Sequence, residues 1–398
     1  MRENKLERVH VMDLLQANTQ EERIAMLRDI VKPFDEVAAK HEAAGTFPFE
    51  NFNALKEAKY PALTIPKEYG GAGISLVELL ELQVIIAAAD GSTGLGIGWH
   101  MGVCANIGIS KAWDEAVYQK FARDVLENGA LINNSASEPK SGSPSWGNRP
   151  LTIATKTEEG WIIDGRKNFT TLAPVLDYFV VSASIADSED VGNFLVRRTC
   201  PGVAIEETWD SIAMAGTGSH DLVLDQVKVN EEDFVAYRHV GPPTAQGWLL
   251  HIPTAYLGIA RAAHDEAVRF AVSYSPGSME GTISDIPTVQ ARIGQMALKL
   301  RESETYLFSV ARKWDESTAE VRKTMHADLA VAKLIVVNKA NEIVDLAMRI
   351  VGARSLSAKN PLQRYYRNVR AGLHNPPMDD ITMGQLAQAS IKQFKTES

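Results

Sequence analysis

Cysteine is scarce in this chain of 398 residues, which contains only Cys104 and Cys200. Two cysteines cannot build a disulfide scaffold or a multi-cysteine metal cluster, and this usage is typical of proteins in a reducing cytoplasm. No group of His, Cys, Asp and Glu has the spacing of a metal site, so we predict no metal. Any redox chemistry is therefore expected to belong to a bound cofactor and not to thiols.

Long apolar segments are also missing, and basic residues are in the minority. The longest apolar runs, such as residues 84–89, are far too short to cross a bilayer, and the amino terminus has no signal-peptide core. The 50 acidic residues outnumber the 41 basic ones, so the net charge of −9 disfavours a surface for nucleic acid or anionic lipid. We predict a cytoplasmic protein that acts on a small molecule and binds neither nucleic acid nor membrane.

The spacing of apolar residues divides the chain into three parts. It is helical up to about residue 128, alternates over short segments from about 131 to 240, and is helical again after 247. Gly and Asp turns separate the short segments, which is typical of antiparallel strands. These segments are 151–156, 161–164, 178–183, 193–196 and 222–229. We predict an α+β protein with a helical domain (1–128), a middle β domain (129–240) and a helical bundle domain (241–398), which contains one long helix over 319–351.

Two polar clusters in the middle region have the composition of a ligand site. Ser135, Ser137 and Ser143 surround a proline turn that follows a predicted strand. Short hydroxyl side chains and free backbone N–H groups can bond to a planar heterocycle or a phosphate without crowding it. Phe169 and Thr171 follow the next turn, where a ring could stack on a heterocycle while a hydroxyl bonds its edge. Taken singly, each cluster is more often an ordinary turn beside a core aromatic.

The order of the motifs resembles the acyl-CoA dehydrogenase superfamily. The motifs are P-x-E-Y-G-G at 66–71, A-S-E-P-x-x-G-S at 136–143, G-x-K-x-F-x-T at 165–171, A-M-A-G-T-G-S-H-D at 213–221 and R-x-x-R-N-x-R at 364–370. Together with their surroundings, these motifs make the chain resemble the superfamily from about residue 20 to about residue 385. The resemblance implies an acyl-CoA dehydrogenase-like fold with an N-terminal helical domain, a middle antiparallel β-barrel and a C-terminal four-helix bundle. It also implies a homotetramer or a homodimer.

The resemblance further implies a flavin between the β domain and the C-terminal bundle. In the family, the hydroxyl at the position of Thr171 bonds the flavin N5, the aromatic at Phe169 packs on the isoalloxazine, and the residue at Ser137 bonds the pyrimidine edge. Donors at the pyrimidine edge favour the reduced flavin, which is electron-rich there. The R-x-x-x-F-G segment with which the family holds the distal half of FAD is replaced at 274–279. The resemblance implies FAD as the cofactor. The replacement of this segment makes FMN an alternative.

The catalytic carboxylate of the family is absent from its expected positions. A dehydrogenase of acyl-CoA needs such a base to remove the α-proton, but the two positions where the family places it hold Pro376 and Trp248. The region after 367 is similar to the flavin-dependent monooxygenase branch, which includes the dibenzothiophene monooxygenases and takes reduced flavin from a separate reductase. There, two histidines line the oxygen-activating pocket, which predicts catalytic roles for His100 and His374.

Three functions remain open from the sequence. The first is a monooxygenase-type enzyme for a small apolar or aromatic substrate, in a pocket lined by Trp99, Trp248, His251 and Tyr256. The second is an acyl-CoA dehydrogenase with a displaced base such as Asp379, which would pass electrons to an electron-transfer flavoprotein. The third is a non-catalytic scaffold that binds acyl-CoA or flavin. Each candidate histidine could equally be a satisfied structural group, and the candidate aspartate a solvated one.

Overall fold

The amino-terminal part of the protein is helical. The computed structural model describes residues 12–142, 148–238, 245–277 and 279–396. The first helices are α1 (Gln20–Ile30), α2 (Phe34–Ala44), α3 (Phe49–Glu57), α4 (Leu76–Ala89), α5 (Gly91–Ser110) and α6 (Glu115–Asn128). Asp90 separates the two apolar helices α4 and α5, and its carboxylate accepts the backbone N–H groups of Ser92 and Thr93 at the start of α5.

Helix α5 is unusual because it contains six glycines in 20 residues. A glycine in a helix interior is about 0.5–1 kcal/mol less favourable than alanine, so this composition needs a structural reason. The reason is close packing, since a Cβ added at any of the six would lie less than 3 Å from a neighbouring atom. At Gly96, for example, that atom belongs to the side chain of Leu172 in the β domain. Helix α5 therefore lies closer to its neighbours than any side chain would allow.

Eight strands form one sheet in the middle of the chain. They are β1 (Ile132–Ser135), β2 (Ile153–Thr157), β3 (Gly160–Thr170), β4 (Tyr178–Ile185), β5 (Val191–Arg197), β6 (Val203–Glu206), β7 (His220–Val229) and β8 (Phe234–Tyr237). The order is β6-β7-β3-β2-β4-β5-β8, with β1 beside β4. All five predicted strands are present, but the sheet is mixed and not wholly antiparallel, because β1 and β2 both run parallel to β4. Alternation of apolar residues identifies the core face of a strand and carries no information on the direction of its neighbour.

The carboxyl-terminal part returns to helices, which share one core with the amino-terminal ones. They are α7 (His251–Ser273), α8 (Pro287–Glu316), α9 (Ala319–Arg322), α10 (His326–Val351), α11 (Pro361–Arg370) and α12 (Asp379–Thr396). Helix α7 packs on α4, α5, α8 and α10, so it joins the two helical regions. Within the described ranges, no helix combines the length and hydropathy that a membrane span requires.

The predicted long helix over 319–351 is divided into α9 and α10. The break lies at residues 323–325. The Arg322 guanidinium, at the end of α9, donates hydrogen bonds to the carbonyls of Trp314 and Asp315 at the end of α8. The predicted domain boundary after residue 128 coincides with the end of α6. The second boundary, at 240, lies outside the described residues, and the oligomeric state stays a prediction.

Candidate functional site

The two predicted flavin-binding segments meet where β1 and β3 end. The backbone N–H of Asn168 donates to the carbonyl of Ser137 at 3.0 Å. The side-chain amide of Asn133, in β1, donates to the carbonyl of Thr171 at 3.1 Å. The loop after β1 and the loop after β3 are therefore fixed to each other. We call residues 135–138 and 168–171 together the cradle.

The serines predicted to contact the flavin differ in their surroundings. Ser135 is only 1% exposed, and its hydroxyl has no hydrogen-bond partner in the described structure. Because nearly all buried polar groups are paired, an orphaned hydroxyl at the cradle is a group that a ligand can satisfy. Ser137 is half-buried, and Ser143 lies outside the described residues.

Phe169 has the conformation and exposure of a ligand-contacting aromatic. Its φ of 52° is in the left-handed region, which is strained for a bulky side chain and persists only where the surrounding structure imposes it. The side chain is 63% exposed and contacts the edge of Trp209, with ring centroids 6.0 Å apart. An exposed aromatic ring held in a strained conformation is consistent with a platform for a planar heterocycle.

The hydroxyl of Thr171 is the end of a directed chain of three hydroxyl groups. Thr217 Oγ1 donates its proton to the carbonyl of Met214 at 2.9 Å. Ser219 Oγ, 2.9 Å from Thr217 Oγ1, must therefore donate to it, and Thr171 Oγ1, 3.0 Å from Ser219 Oγ, must donate to Ser219. Each hydroxyl has one proton, so Thr171 is left with an oxygen that accepts.

A buried ion pair connects the two segments of the cradle, because Glu138 lies in the first segment and Lys167 immediately precedes the second. Lys167 Nζ is 2.7 Å from Glu138 Oε1, and both residues are at most 2% exposed. Glu138 also accepts hydrogen bonds from the backbone of Leu151, from the backbone and hydroxyl of Thr152, and from the hydroxyl of Ser141. Burial alone would raise the pKa of Glu138, but these bonds outweigh it and lower the pKa to about 2.

Three of the four predicted pocket residues form an aromatic–histidine cluster. The rings of Trp248 and His251 are parallel, with centroids 5.9 Å apart, and Trp99 contacts both edge-on at 5.8 and 4.7 Å. His251 is fully buried, and neither ring nitrogen has a hydrogen-bond partner among the described residues. Burial lowers the pKa of His251 to about 3, so the ring is neutral at physiological pH.

The fourth predicted pocket residue, Tyr256, contacts a different segment. Its buried hydroxyl donates to Asn375 Oδ1 at 2.6 Å. Asn375 immediately precedes Pro376, which occupies one of the two expected base positions. Tyr256 therefore fixes the segment in which the family's glutamate would lie.

The cluster and the cradle are linked through consecutive residues of β1. The backbone N–H of Ile132 donates to His100 Nδ1 at 3.1 Å, and His100 directly follows Trp99 in α5. The next residue of β1, Asn133, bonds to Thr171 in the cradle. Strand β1 thus bonds to the neighbour of Trp99 through Ile132 and to the cradle through Asn133.

His100 has the geometry of a structural histidine. Its Nε2 lies 3.0 Å from the carbonyl of Pro61, while its Nδ1 accepts the N–H of Ile132. The ring is fully buried, and this burial lowers its pKa to about 4. Both ring nitrogens are committed to the backbone, which argues against the predicted catalytic role because no proton donor remains for a ligand.

The other two predicted catalytic residues lie after α11 and at the start of α12. His374 is exposed and ends a short turn of helix, 371–374, after α11. Asp379 begins α12, where its carboxylate accepts Asn338 Nδ2 at 2.7 Å and lies 3.3 Å from the buried Lys333 Nζ. These two contacts tie the Asp379 carboxylate to α10.

Several site residues escaped prediction. Ser219 is in a recognised motif, yet its place in the hydroxyl chain depends on its contact with Thr171, 48 residues earlier in the chain. Gln83 donates its amide to the carbonyls of Gly94 and His251, and nothing in the local sequence marks it. The glycine spacing of α5 is the sequence signal that could have pointed to Gln83, because Gly98 lies against both Gln83 and His251.

Comparison with known proteins agrees with this architecture. Three family models match in order: the acyl-CoA dehydrogenase N-terminal domain at 17–128, the middle domain at 134–227 and the C-terminal domain at 250–375. The Bacillus subtilis protein named "Putative acyl-CoA dehydrogenase YdbM" is 47% identical over 380 residues, covering 95% of this chain and 99% of the relative.

More distant similarities include monooxygenases. Dibenzothiophene monooxygenase of Rhodococcus erythropolis is 27% identical over 387 residues, covering 89% of each chain. The crystal structure of FMN-bound TdsC from Paenibacillus sp. A11-2 has the same fold, with a TM-score of 0.83 at 23% identity over 93% of this chain and 97% of that one. The three family models and the Bacillus relative are decisive, and the chain belongs to the acyl-CoA dehydrogenase family of flavin-dependent oxidoreductases.

Proposed function

We propose that this protein is a monooxygenase-type flavoenzyme that uses reduced flavin and molecular oxygen on a small, uncharged, aromatic or apolar substrate. The observation that carries the proposal is the replacement of both base positions. Pro376 has no proton-accepting group, and Trp248 is buried against His251. Without a carboxylate over the substrate, abstraction of an α-proton from an acyl-CoA has no base.

The cradle supports binding of the flavin in its reduced form. The hydroxyl chain leaves Thr171 as an acceptor, and the position of Thr171 is the one that bonds N5 in the family. Reduced flavin carries a proton on N5, whereas oxidised flavin has a lone pair there. An accepting Thr171 therefore suits the reduced state, which a separate reductase would deliver.

The chain's own residues would hold the flavin and keep water from the substrate. The groups available to hold the flavin ring system are the Ser135 hydroxyl, the Ser137 loop and the Phe169 ring. Trp99 and Trp248 would supply apolar contact area to the substrate. When bound, the flavin supplies two electrons to oxygen. One oxygen atom enters the substrate, and the other leaves as water.

Isotope labelling tests the proposed reaction. The protein is loaded with anaerobically reduced flavin and then mixed with ¹⁸O₂ and a panel of neutral aromatic compounds. We expect one ¹⁸O atom in the product of at least one compound, with oxygen consumed in proportion. Hydrogen peroxide as the sole product with every compound would contradict the proposal. Extracted flavin identified by mass spectrometry as FMN would support it further, whereas tightly bound FAD would favour a dehydrogenase.

Replacing Ser219 by alanine tests the direction of the hydroxyl chain. Thr171 would then be free to donate its proton, so the S219A protein should lose its preference for reduced flavin. We expect the ratio of the dissociation constants of oxidised and reduced flavin to fall about five- to tenfold, the value of one hydrogen bond. Flavin titrations under anaerobic and aerobic conditions measure both constants. T217S, which keeps the chain intact, is the control and should leave the ratio unchanged.

The second candidate function is an acyl-CoA dehydrogenase with a displaced base, which the 47% identity to YdbM favours. Asp379 is the predicted base, but its contacts with Lys333 and Asn338 argue for a structural role. We therefore expect D379N to keep any flavin-dependent activity within about twofold of the unmodified protein. Anaerobic bleaching of bound flavin by acyl-CoA thioesters of different lengths, lost in D379N, would instead establish the dehydrogenase.

A further inference from the structure

Helix α11 carries the R-x-x-R-N-x-R motif, and its charged side chains tie it to both helical regions of the protein. Arg364, which is only 3% exposed, forms an ion pair with Asp35 in α2. One turn later, Arg370 Nη2 lies 2.6 Å from Asp345 Oδ1 in α10. Because helices from both ends of the chain hold it, α11 is a fixed support for whatever its remaining side chains contact.

The remaining polar side chains of the motif reach the loop between β6 and β7. Arg367 Nη1 donates to the carbonyl of Ile212 at 3.0 Å. Asn368, which is 2% exposed, accepts the backbone N–H of Met214 on its Oδ1 at 2.7 Å. The same loop leads to Thr217 and so to the chain of three hydroxyl groups. Helix α11 therefore fixes the backbone of this loop just before the hydroxyl chain begins.

The backbone of Met214 has a conformation that its own side chain disfavours. Its φ of 55° and ψ of 36° lie in the left-handed region, which is uncommon for residues other than glycine. The angle φ describes rotation about the N–Cα bond, so it is fixed when the N–H and the side chain are both held. Asn368 holds the N–H, and the side chain is buried with its Sδ 3.8 Å from the hydroxyl oxygen of Ser92.

The left-handed conformation aims the Met214 carbonyl at the hydroxyl chain. This carbonyl accepts the backbone N–H of Thr217 at 3.0 Å, its hydroxyl at 2.9 Å and the indole N–H of Trp209 at 3.3 Å. A carbonyl cannot donate, so the Thr217 hydroxyl must give its proton to it. If Met214 turned to an ordinary conformation, its carbonyl would point elsewhere. The Thr217 proton would then be available to Ser219, and the chain could run in the opposite direction.

From these contacts we infer that Asn368 is a positioning residue for the flavin, which acts by holding Met214 in its left-handed conformation. In this role it keeps the Thr217 hydroxyl a donor to the Met214 carbonyl, and so keeps Thr171 an acceptor towards N5. The inference rests on the proposed function, which assigns Thr171 to N5 of the reduced flavin. It makes the preference of the site for one redox state depend on a helix of the carboxyl-terminal region.

Flavin titrations of the full-length protein and its variants test the inference. The probes are FMN and FAD, each titrated in the oxidised form and, under nitrogen, after reduction by dithionite. In N368A and N368S the side chain is too short to reach the Met214 N–H. Both variants should lower the ratio of the dissociation constants of oxidised and reduced flavin about five- to tenfold, as S219A does. N368D keeps an acceptor oxygen at the same distance and should keep the ratio.

A double variant and a matched control separate positioning from general loss of stability. Asn368 and Ser219 act on one hydroxyl chain, so N368A/S219A should lower the ratio no further than S219A alone. Asn341 is another buried asparagine that contacts α11, through the carbonyl of Val369 at 3.3 Å. N341A should therefore loosen the same helix and leave the ratio unchanged.

The outcomes distinguish this inference from the proposed function. A ratio that falls in S219A but not in N368A or N368S would overturn the inference and leave the role of Thr171 in place. An unchanged ratio in S219A would overturn both. An equal loss of affinity for the two flavin forms, the same fall in N341A, or failure of both N368A and N368S to fold would assign Asn368 a structural role and overturn the inference. A lowered ratio without ¹⁸O incorporation by the unmodified protein would remove the proposed reaction alone.

Discussion

Replacing Lys167 by methionine is expected to lower the free energy of unfolding by about 3–5 kcal/mol and to abolish flavin retention. Removing one partner of a buried ion pair leaves the other charge uncompensated, and Glu138 is only 2% exposed. Glu138 directly follows Ser137, and Lys167 precedes Phe169 by two residues. The lost pair therefore loosens both sides of the cradle. Urea unfolding gives the stability, and absorbance after gel filtration gives the flavin content.

Two variants separate this effect from a general loss of positive charge. Lys140 is exposed in the same loop as Glu138, and K140M should change stability by less than about 0.5 kcal/mol. The double variant K167M/E138Q should not recover the stability lost in K167M, because a Gln amide nitrogen cannot accept the backbone N–H groups that both Glu138 oxygens bond. If K167M unfolds within 1 kcal/mol of the unmodified protein, the pair does not support the cradle.

Replacing Gly98 by alanine is the substitution with the largest expected effect on the aromatic–histidine cluster. The new methyl group would overlap Gln83 and His251. Overpacking of this kind typically costs about 1–3 kcal/mol, because the surrounding side chains must leave their preferred rotamers. We expect G98A to lower the free energy of unfolding by about 1–3 kcal/mol in urea unfolding.

Gly294 provides the matched control for this substitution. It also lies inside a long helix, α8, but a Cβ at this position meets no atom within 4 Å. G294A should therefore stabilise the protein by about 0.5–1 kcal/mol, as expected from helix propensity alone. Stabilisation by G98A of the same size would show that the space beside His251 is open and would remove the steric reason for this glycine.

The fold was largely predictable from the sequence, but the roles of individual site residues were not. Motif order and the change of apolar period indicated the helical, strand and helical parts, and the structure has them in that order. The parallel pairing of β1 and β2 with β4 was missed, because side-chain alternation has no direction. At residue level, the sequence predicts a catalytic role for His100 and a pocket position for His251, but among the described residues only His251 has ring nitrogens without partners.

What distinguishes these two histidines is the backbone of distant segments. The carbonyl of Pro61 and the N–H of Ile132 satisfy His100, and they come from positions 39 and 32 residues away in the chain. No local pattern reports such contacts. The same holds for Asp379, whose partners Lys333 and Asn338 lie 46 and 41 residues earlier. Motifs thus locate the site, and only tertiary contacts show which polar groups in it are free.

The glycine-rich helix α5 also restricts how the substrate range of this enzyme can be changed. At Gly98 and Gly102, α5 lies against the aromatic–histidine cluster and has no room for a side chain. Space for bulkier substrates must therefore come from the opposite side, where Trp248 packs its ring over Gly102. Directed evolution should accept smaller residues at 248 and reject nearly every change at the glycines of α5.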